Sequence, residues 1–451
     1  MRRFGNALAA FSTRWVPDAF VFAVVLSALV FGMALFLTER TPLELVGDWY
    51  GGFWGLLEFG MQMTLVLVTG YALASSPPAR RAILWVAGRA RGPLSAVGIT
   101  ALGAALLGTL HWGLGLIAGA LLAVEVARSC KERGIKVHFP LLAASGYIGL
   151  MVWHSGLSGS APLLVNTPGH FLEEQIGLIP LSETVFQPFN LVFLLAMLIG
   201  APLLLMSMAP EPGDSEEIED SGDDGPLGGG TVGRPARTEL RALSPAQRLM
   251  HSRVLVYAVV AVGLVHLVPA LVLNGVVGMD INLLNFMFLM AGLGLHGTLA
   301  SYSSAAAEGA RNASAVIVQF PFYAGIMGIM DTSGLLEVVT GWFVSVATPF
   351  SYPFLALMSA ALVNLAVPSG GGQWAVQGPV VMGATETLGI DPGVGVMAVA
   401  MGDQLTNGIQ PFWALPLLAL TRLRAGKVLG YSAFVMLFAI VVASLCITFL
   451  T

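Results

Sequence analysis

Six long apolar runs decide most of what this chain can fold into: Val16 to Leu37, Phe53 to Ala74, Asn190 to Met208, Val254 to Leu273, Leu283 to Leu299 and Val428 to Leu450. Each is long enough to cross a hydrocarbon core of roughly 30 Å. They are continuous and rich in Leu, Val, Ala and Met, whereas barrel strands are short and alternating, so they read as helices. Composition agrees. Of 451 residues, 56% are hydrophobic and 10% charged, with a mean hydropathy of +0.80; soluble domains carry roughly 25% charged residues. The fold class is therefore all-α, a polytopic membrane protein whose surroundings are the lipid bilayer. Arg2, Arg3 and Arg14 precede the first run, which is too long for the apolar stretch of a signal peptide and lacks an obvious cleavage site. It reads as a retained first helix.

Several function classes drop out. The formal charge of -5 reflects nine acidic residues gathered between Glu211 and Glu239, and no basic stripe marks a nucleic-acid partner. Cys130 and Cys446 form neither a disulfide framework nor a metal motif. No HExxH, Walker loop or nucleophile elbow is present, which argues against an enzyme and against an ATP-driven pump.

Between Ala209 and Arg253 the chain turns to Glu, Asp, Gly, Pro and Arg, including Gly228-Gly229-Gly230. Such a stretch cannot supply an apolar core. It divides the chain into a first membrane repeat (1–209), a polar linker (210–252) and a second membrane repeat (253–451). Short strings pair across the linker: Gly70-Tyr71-Ala72-Leu73-Ala74-Ser75 with Gly297-Thr298-Leu299-Ala300-Ser301, Phe139-Pro140-Leu141 with Tyr352-Pro353-Phe354, Ser155-Gly156 with Ser369-Gly370, and Gln187-Pro188-Phe189 with Gln410-Pro411-Phe412. Internal duplication is the usual ground plan of secondary transporters. Lys and Arg place the N-terminus, Arg80 to Arg91, Arg128 to Lys136 and Arg422 to Lys427 on the cytoplasmic side. Ser95 to Val126 then begins and ends on one side. It reads as a re-entrant hairpin turning at His111-Trp112-Gly113, in preference to two tightly joined full-length helices, with a counterpart from Ala313 to Val346 turning near Asp331 to Gly334.

Two stretches interrupt apolar runs with small polar residues: Trp153-His154-Ser155-Gly156-Leu157-Ser158-Gly159-Ser160 and Pro368-Ser369-Gly370-Gly371-Gly372-Gln373-Trp374. Unpaired backbone groups cost several kcal/mol each in hydrocarbon, so such breaks persist only inside protein or beside a water-filled cavity. Their amides and half-helix dipoles can then hold an anion. The substrate-binding candidates are accordingly Ser155, Ser158, Ser160, Ser369, Gly370, Gly371, Gln373 and Trp374, with Asn166 and Thr167 in the adjoining Asn-Thr-Pro-Gly string and Trp112 at the hairpin turn. His111 either bonds substrate or turns the hairpin. Asp403, with Thr406 and Asn407, is the candidate ion-coupling cluster for a sodium ion or a proton, since an acid within a span is expensive and usually serves an ion path. The alternative for Asp403 is a helix cap at the membrane surface. His154, His266 and His296 read individually as packed histidines. No cofactor is expected beyond the coupling ion.

At these residues the chain resembles the short-chain fatty acid transporter family. The likeness runs through Trp15-Val16-Pro17-Asp18, Phe59-Gly60-Met61-Gln62-Met63, Gly156-Leu157-Ser158-Gly159-Ser160-Ala161-Pro162, Val318-Gln319-Phe320-Pro321-Phe322-Tyr323, Val367-Pro368-Ser369-Gly370-Gly371-Gly372 and Gln410-Pro411-Phe412-Trp413-Ala414-Leu415-Pro416. That resemblance implies a multi-pass carrier of the bacterial inner membrane for anions such as butyrate and acetoacetate. It also implies inverted repeats, paired re-entrant hairpins, broken transmembrane helices and elevator-type movement; a homodimer is the expected assembly. His154 stands where the family pattern leads one to expect a smaller residue, and the acidic linker matches no family motif.

The positions of the cations narrow the substrate. Every Arg and Lys lies at a segment end, in a loop or in the linker, so neither proposed tip holds an Arg clamp for a carboxylate. Neutral donors and helix dipoles suit one negative charge better than two, which favours a short monocarboxylate over a dicarboxylate. An ion channel and a membrane-embedded hydrolase are the competing classes; the second lacks a nucleophile paired with a base.

Overall fold

The computed structural model describes residues 19–219, 243–365 and 367–451. Arg2, Arg3, Arg14 and the acidic, Gly-rich stretch 220–242 of the linker lie outside the described residues. Among those described there is helix and no strand. The hydrophobic runs become α1 (Ala19–Leu37), α3 (Leu57–Ala74), α9 (Pro188–Ser207), α10 (Arg253–Asn274), α11 (Ile281–His296) and α18 (Ala425–Phe449). Between α1 and α3 lies α2 (Pro42–Gly52), whose Thr41 and Glu44 form a reciprocal capping box that supplies its orphan amides locally. Arginines 80 and 81 ride on α4 (Pro77–Ala87), which follows α3.

The segment read as a hairpin is one. Its arms are α5 (Pro93–Leu110) and α6 (Trp112–Glu132), and the chain turns at His111, whose backbone is extended and whose Nδ1 accepts from the amide of Leu114. The arms are longer than the 15-residue lengths expected, at about 27 and 31 Å for 1.5 Å per residue. The tip nevertheless meets the last two turns of α3, since a Cβ on Gly70 would fall 2.4 Å from the His111 ring. The turn therefore lies inside the protein, and each arm is long and apolar enough to cross a membrane. Next come α7 (Phe139–Tyr147), an irregular stretch of short 3-10 turns, and α8 (Ser160–Val165), a single span broken in the middle.

The second half runs through α12 (Leu299–Ser333), which bends by 45° between Arg311 and Val316, and α13 (Leu335–Val346), with Gly334 in the left-handed conformation at the turn. A true hairpin follows: α14 (Tyr352–Asn364) and α15 (Gly370–Thr387). Then comes a second broken span, α16 (Pro392–Thr406) and α17 (Pro411–Thr421), before α18. Element order therefore repeats as span, short helix, span, short helix, hairpin, broken span, span. The first series begins at α1 and the second at α11, with α10 as the connecting helix.

That order corrects the four pairings drawn from short strings and the expected counterpart of the first hairpin. Gly70 to Ser75 ends α3 while Gly297 to Ser301 opens α12. Ser155 lies in the break of a span while Ser369 caps a hairpin arm, and Gln187 precedes α9 while Gln410 lies in the break between α16 and α17. Phe139 opens a broken span whereas Tyr352 opens a hairpin arm, so those strings occupy unlike elements. The counterpart of α5/α6 is α14/α15, not the turn at Gly334. Basic ends set the sides: α4, the mouth of α5/α6 and the start of α18 are cytoplasmic, as is the start of α7, where His138 meets Tyr431 at 3.1 Å. Arg40, after α1, reaches the carbonyl of Thr332 at 2.6 Å, so the end of α12 is on the opposite face. Counting from there, α14/α15 opens outward and the two series are inverted.

Two bodies follow from packing. α1, α2, α3, α11 and α12 bundle together, while the hairpins, broken spans, α9 and α18 form the other. Small residues allow the second body its close approach: a Cβ on Gly119 of α6 would lie 2.2 Å from the carbonyl oxygen of Gly146 on α7. Most of α10 faces outward, with Val254, Val262, Val265, Val272 and Leu273 exposed, as a lipid-facing helix requires.

Candidate functional site

The two broken spans cross each other at their breaks. Freed carbonyls must find partners inside the protein, and here each break supplies the other. The Tyr147 hydroxyl donates to the carbonyls of Asn407 at 2.7 Å and Gln410 at 3.1 Å. Asn407 Nδ2 donates to the carbonyl of Leu150 at 3.4 Å, and Ser432 Oγ to that of Gly408 at 2.6 Å. Gln404, fully buried near the end of α16, clamps the opposite break: its Oε1 accepts from the amides of His154 at 3.0 Å and Ser155 at 3.3 Å, and its Nε2 donates to Ser155 Oγ at 2.7 Å. Asn190 Nδ2 holds the carbonyl of Ser155 at 2.9 Å.

Both hairpin tips rest on that same break. The amide of Trp112 donates to Ser158 Oγ at 2.8 Å, and the amide of Leu157 to the carbonyl of Thr109 at 2.8 Å. The Trp112 ring lies 5.6 Å from Trp153 and 5.5 Å from Trp413. From the other hairpin, Gly370 passes so close that a Cβ there would sit 2.2 Å from His154 Nε2. Only glycine fits this first turn of α15. Ser369 caps the helix by accepting from the amide of Gly372 at 3.3 Å. The N-termini of α6 and α15 thereby converge, with their positive dipole ends directed at one region.

Several polar atoms in this region are buried without a hydrogen-bond partner: His111 Nε2, Ser160 Oγ, Gln373 Oε1, and Nε1 of Trp112, Trp153 and Trp374. Buried polar groups are nearly always paired, so a cluster of unpaired ones marks a place built for something else. An indole N–H can only donate, which suits an anion.

Asp403 is buried on α16, and neither of its carboxylate oxygens accepts a hydrogen bond. Its Oδ2 lies 3.6 Å from Nε2 of His154, itself buried beneath the tip of α15. The surface-cap alternative for Asp403 is thus overturned. Thr406 and Asn407 face another way: Asn364 Nδ2 donates to Thr406 Oγ1 at 2.8 Å, to Asn407 Oδ1 at 3.0 Å and to the backbone carbonyl of Asp403 at 2.7 Å. Asn364 thereby braces the acid's backbone, and the Asp403 side chain meets His154 instead. Among the described residues, no group of three or more His, Cys, Asp or Glu side chains could hold a metal ion.

Other sequence candidates are placed as follows. Gln373 Nε2 donates to the carbonyl of Ala360 and to Gln377 Oε1, both at 2.9 Å, and Trp374 is fully buried. Gly371 packs on Phe59 and Phe320. Asn166 and Thr167 are not brought to the tips. Asn166 Nδ2 reaches the carbonyls of Val277 and Met279, and Thr167 Oγ1 accepts from the amide of Ile281, tying the outer end of α8 to the start of α11. His154, Gln404, Asn190 and Asn364 were not singled out from sequence as site residues, since their partners lie far along the chain.

Repeated element order, two helical hairpins and two broken spans crossing at a buried polar centre together define a multi-pass membrane protein built as transporters are. Comparison with known proteins specifies the family. The model of the family described as "Short chain fatty acid transporter" matches residues 1–450. A protein of Escherichia coli (strain K12) is 40% identical over 440 residues, and one of Haemophilus influenzae (strain ATCC 51907 / DSM 11121 / KW20 / Rd) is 37% identical over 447. In both cases 97% of this chain and 97% of the relative are covered, and each relative bears the name "Putative short-chain fatty acid transporter". The chain belongs to the short-chain fatty acid transporter family. Its fold is that of the YdaH transporter of Alcanivorax borkumensis, whose crystal structure is described as having an unusual topology; the TM-score is 0.61 at 17% identity, covering 96% of this chain and 98% of that one.

Proposed function

We propose that this protein carries short-chain monocarboxylates, of the size of butyrate or acetoacetate, across the bacterial cytoplasmic membrane by movement of the hairpin-bearing body against the other. The observation that carries the reading is the centre itself: unpaired neutral donors and helix N-termini converge there, while no Lys or Arg is buried among the described residues. In an interior of low dielectric, neutral donors and partial dipole charges compensate one negative charge far more readily than two.

Coupling is assigned to Asp403 and His154. An imidazole 3.6 Å from a buried carboxylate can share one proton with it. The expectation from sequence left sodium and a proton open. A nitrogen base facing the acid supports the proton, because a hard cation prefers oxygen ligands, and Thr406 and Asn407 direct their oxygens to Asn364 instead.

Uptake of labelled butyrate into proteoliposomes, challenged with unlabelled carboxylates, tests the substrate class. Butyrate and acetoacetate should compete at least tenfold better than succinate; the reverse order would make the protein a dicarboxylate carrier and sink the reading.

A further inference from the structure

A cavity of about 230 Å³ lies on the cytoplasmic side of the centre, between the two bodies. Leu67 and Tyr71 of α3 and Arg311 of α12 line it from one body, and Trp112 and Ile117 of α6 and Trp413 of α17 from the other. Its volume is several times the roughly 30 Å³ share of one water and below the roughly 300 to 1,000 Å³ of sites for drug-sized ligands. That is room for an acid of a few carbons.

Arg311 meets the expectation that every cation sits at a segment end or in a loop, since it closes the first straight piece of α12. It lies within α12, at the 45° bend, beside the contact of Gly309 with Val68 and Tyr71. Its Nε lies 3.1 Å from Glu308 Oε2, an intrahelical pair whose side chains are 71% and 47% exposed. An ion pair this exposed is weak and is readily exchanged for another carboxylate. Guanidinium suits that exchange, since its planar fork binds a carboxylate through two parallel hydrogen bonds. Trp112 lines the same cavity from the other body and, with Trp413, gives it an aromatic wall.

We propose that this cavity is the cytoplasmic-side binding site for the transported monocarboxylate, with Arg311 as its counter-ion and Glu308 as the built-in competitor that occupies Arg311 between substrates. The carboxylate pairs with Arg311, and the acyl chain lies along Leu67, Ile117 and Trp413. One guanidinium matches one carboxylate, so the site selects the same charge as the centre above it. The bend in α12 holds Arg311 at the boundary of the two bodies, where movement of α6 and α17 would open or close the cavity around it.

This inference rests on the monocarboxylate reading, and the test separates the two. Butyrate transport from the cytoplasmic-equivalent face would be measured in oriented proteoliposomes for wild type, R311Q, R311K and E308Q. R311Q should raise KM for butyrate at least tenfold with the maximal rate within about threefold, R311K should recover part of the loss, and E308Q should lower KM by removing the competitor. Should R311Q not insert, R311K and E308Q must still move KM in opposite directions. Wild-type KM in R311Q, or E308Q raising KM like R311K, overturns the assignment. Failure of the wild type to carry butyrate would instead sink the substrate reading itself.

Discussion

Gln404 joins the two broken spans, so its removal should cost more than a typical polar substitution. Replacing it with Met keeps nearly the same volume and isolates the hydrogen bonds from any packing loss. In Gln404→Met the amides of His154 and Ser155 lose their acceptor, and Ser155 Oγ loses a donor. Both amides belong to a fully buried 3-10 turn; that of Ser155 also donates to the carbonyl of Val152 at 3.2 Å, so the amide of His154 is the one left unpaired. An unsatisfied buried donor costs about 1–3 kcal/mol. At roughly 2–4 °C per kcal/mol, the scale for domains of 150–250 residues, the apparent melting temperature should fall by at least about 2 °C. The assay is thermal unfolding of purified protein in detergent, followed by size-exclusion of the surviving fraction. If Gln404→Met melts with the wild type, the clamp does not hold the break and the crossing of the two spans is stabilised elsewhere.

Asp403→Asn should abolish the dependence of uptake on a proton gradient while leaving downhill exchange of butyrate, as seen by comparing gradient-driven accumulation with counterflow; unchanged accumulation would remove Asp403 from coupling. Ser369→Ala deletes the cap of α15, worth about 0.5–2 kcal/mol, and should raise KM for butyrate severalfold without preventing membrane insertion. Gln373→Ala should do the same through its contact with Ala360; wild-type kinetics in both variants would exclude the tip of α14/α15 from binding.

What could be read along the chain was whatever depends on local composition. The long apolar runs became helices, four of them long enough among the described residues to cross a membrane, and His111 marked a real turn because a helix cannot continue through its extended backbone. The Ser-Gly breaks were visible because polar, glycine-rich stretches are rare inside membrane segments. The register of the repeats was not visible. Strings such as Phe-Pro or Tyr-Pro recur wherever a helix begins, since proline is favoured in a first turn, so Phe139 and Tyr352 look alike while opening unlike elements. Inversion compounds this, because corresponding elements run in opposite directions through the membrane. The polar constellation was legible only in part: Asp403 stood out as an intramembrane acid, but its facing partner is His154, about 250 positions away along the chain.

If the centre binds a carboxylate and Asp403 carries the coupling proton, as proposed, the nearness of the acid to the anion has a physical role. A bound carboxylate and an ionised Asp403 would repel each other within the same buried region. At a separation of about 10 Å and an effective dielectric near 20, 332/(εr) gives about 1.7 kcal/mol, more than a tenfold effect on affinity. Placing a proton on the Asp403–His154 pair removes that repulsion. Linkage then requires the converse, that bound anion favours the protonated pair by the same factor. Proton and monocarboxylate would therefore enter and leave the centre together without contact between them. His154 strengthens this coupling through its position, because it touches Asp403 on one side and the first turn of α15 on the other. Proton occupancy can thus be felt at the hairpin tip that borders the anion, and a smaller residue at position 154 would leave the acid and the tip without that shared neighbour.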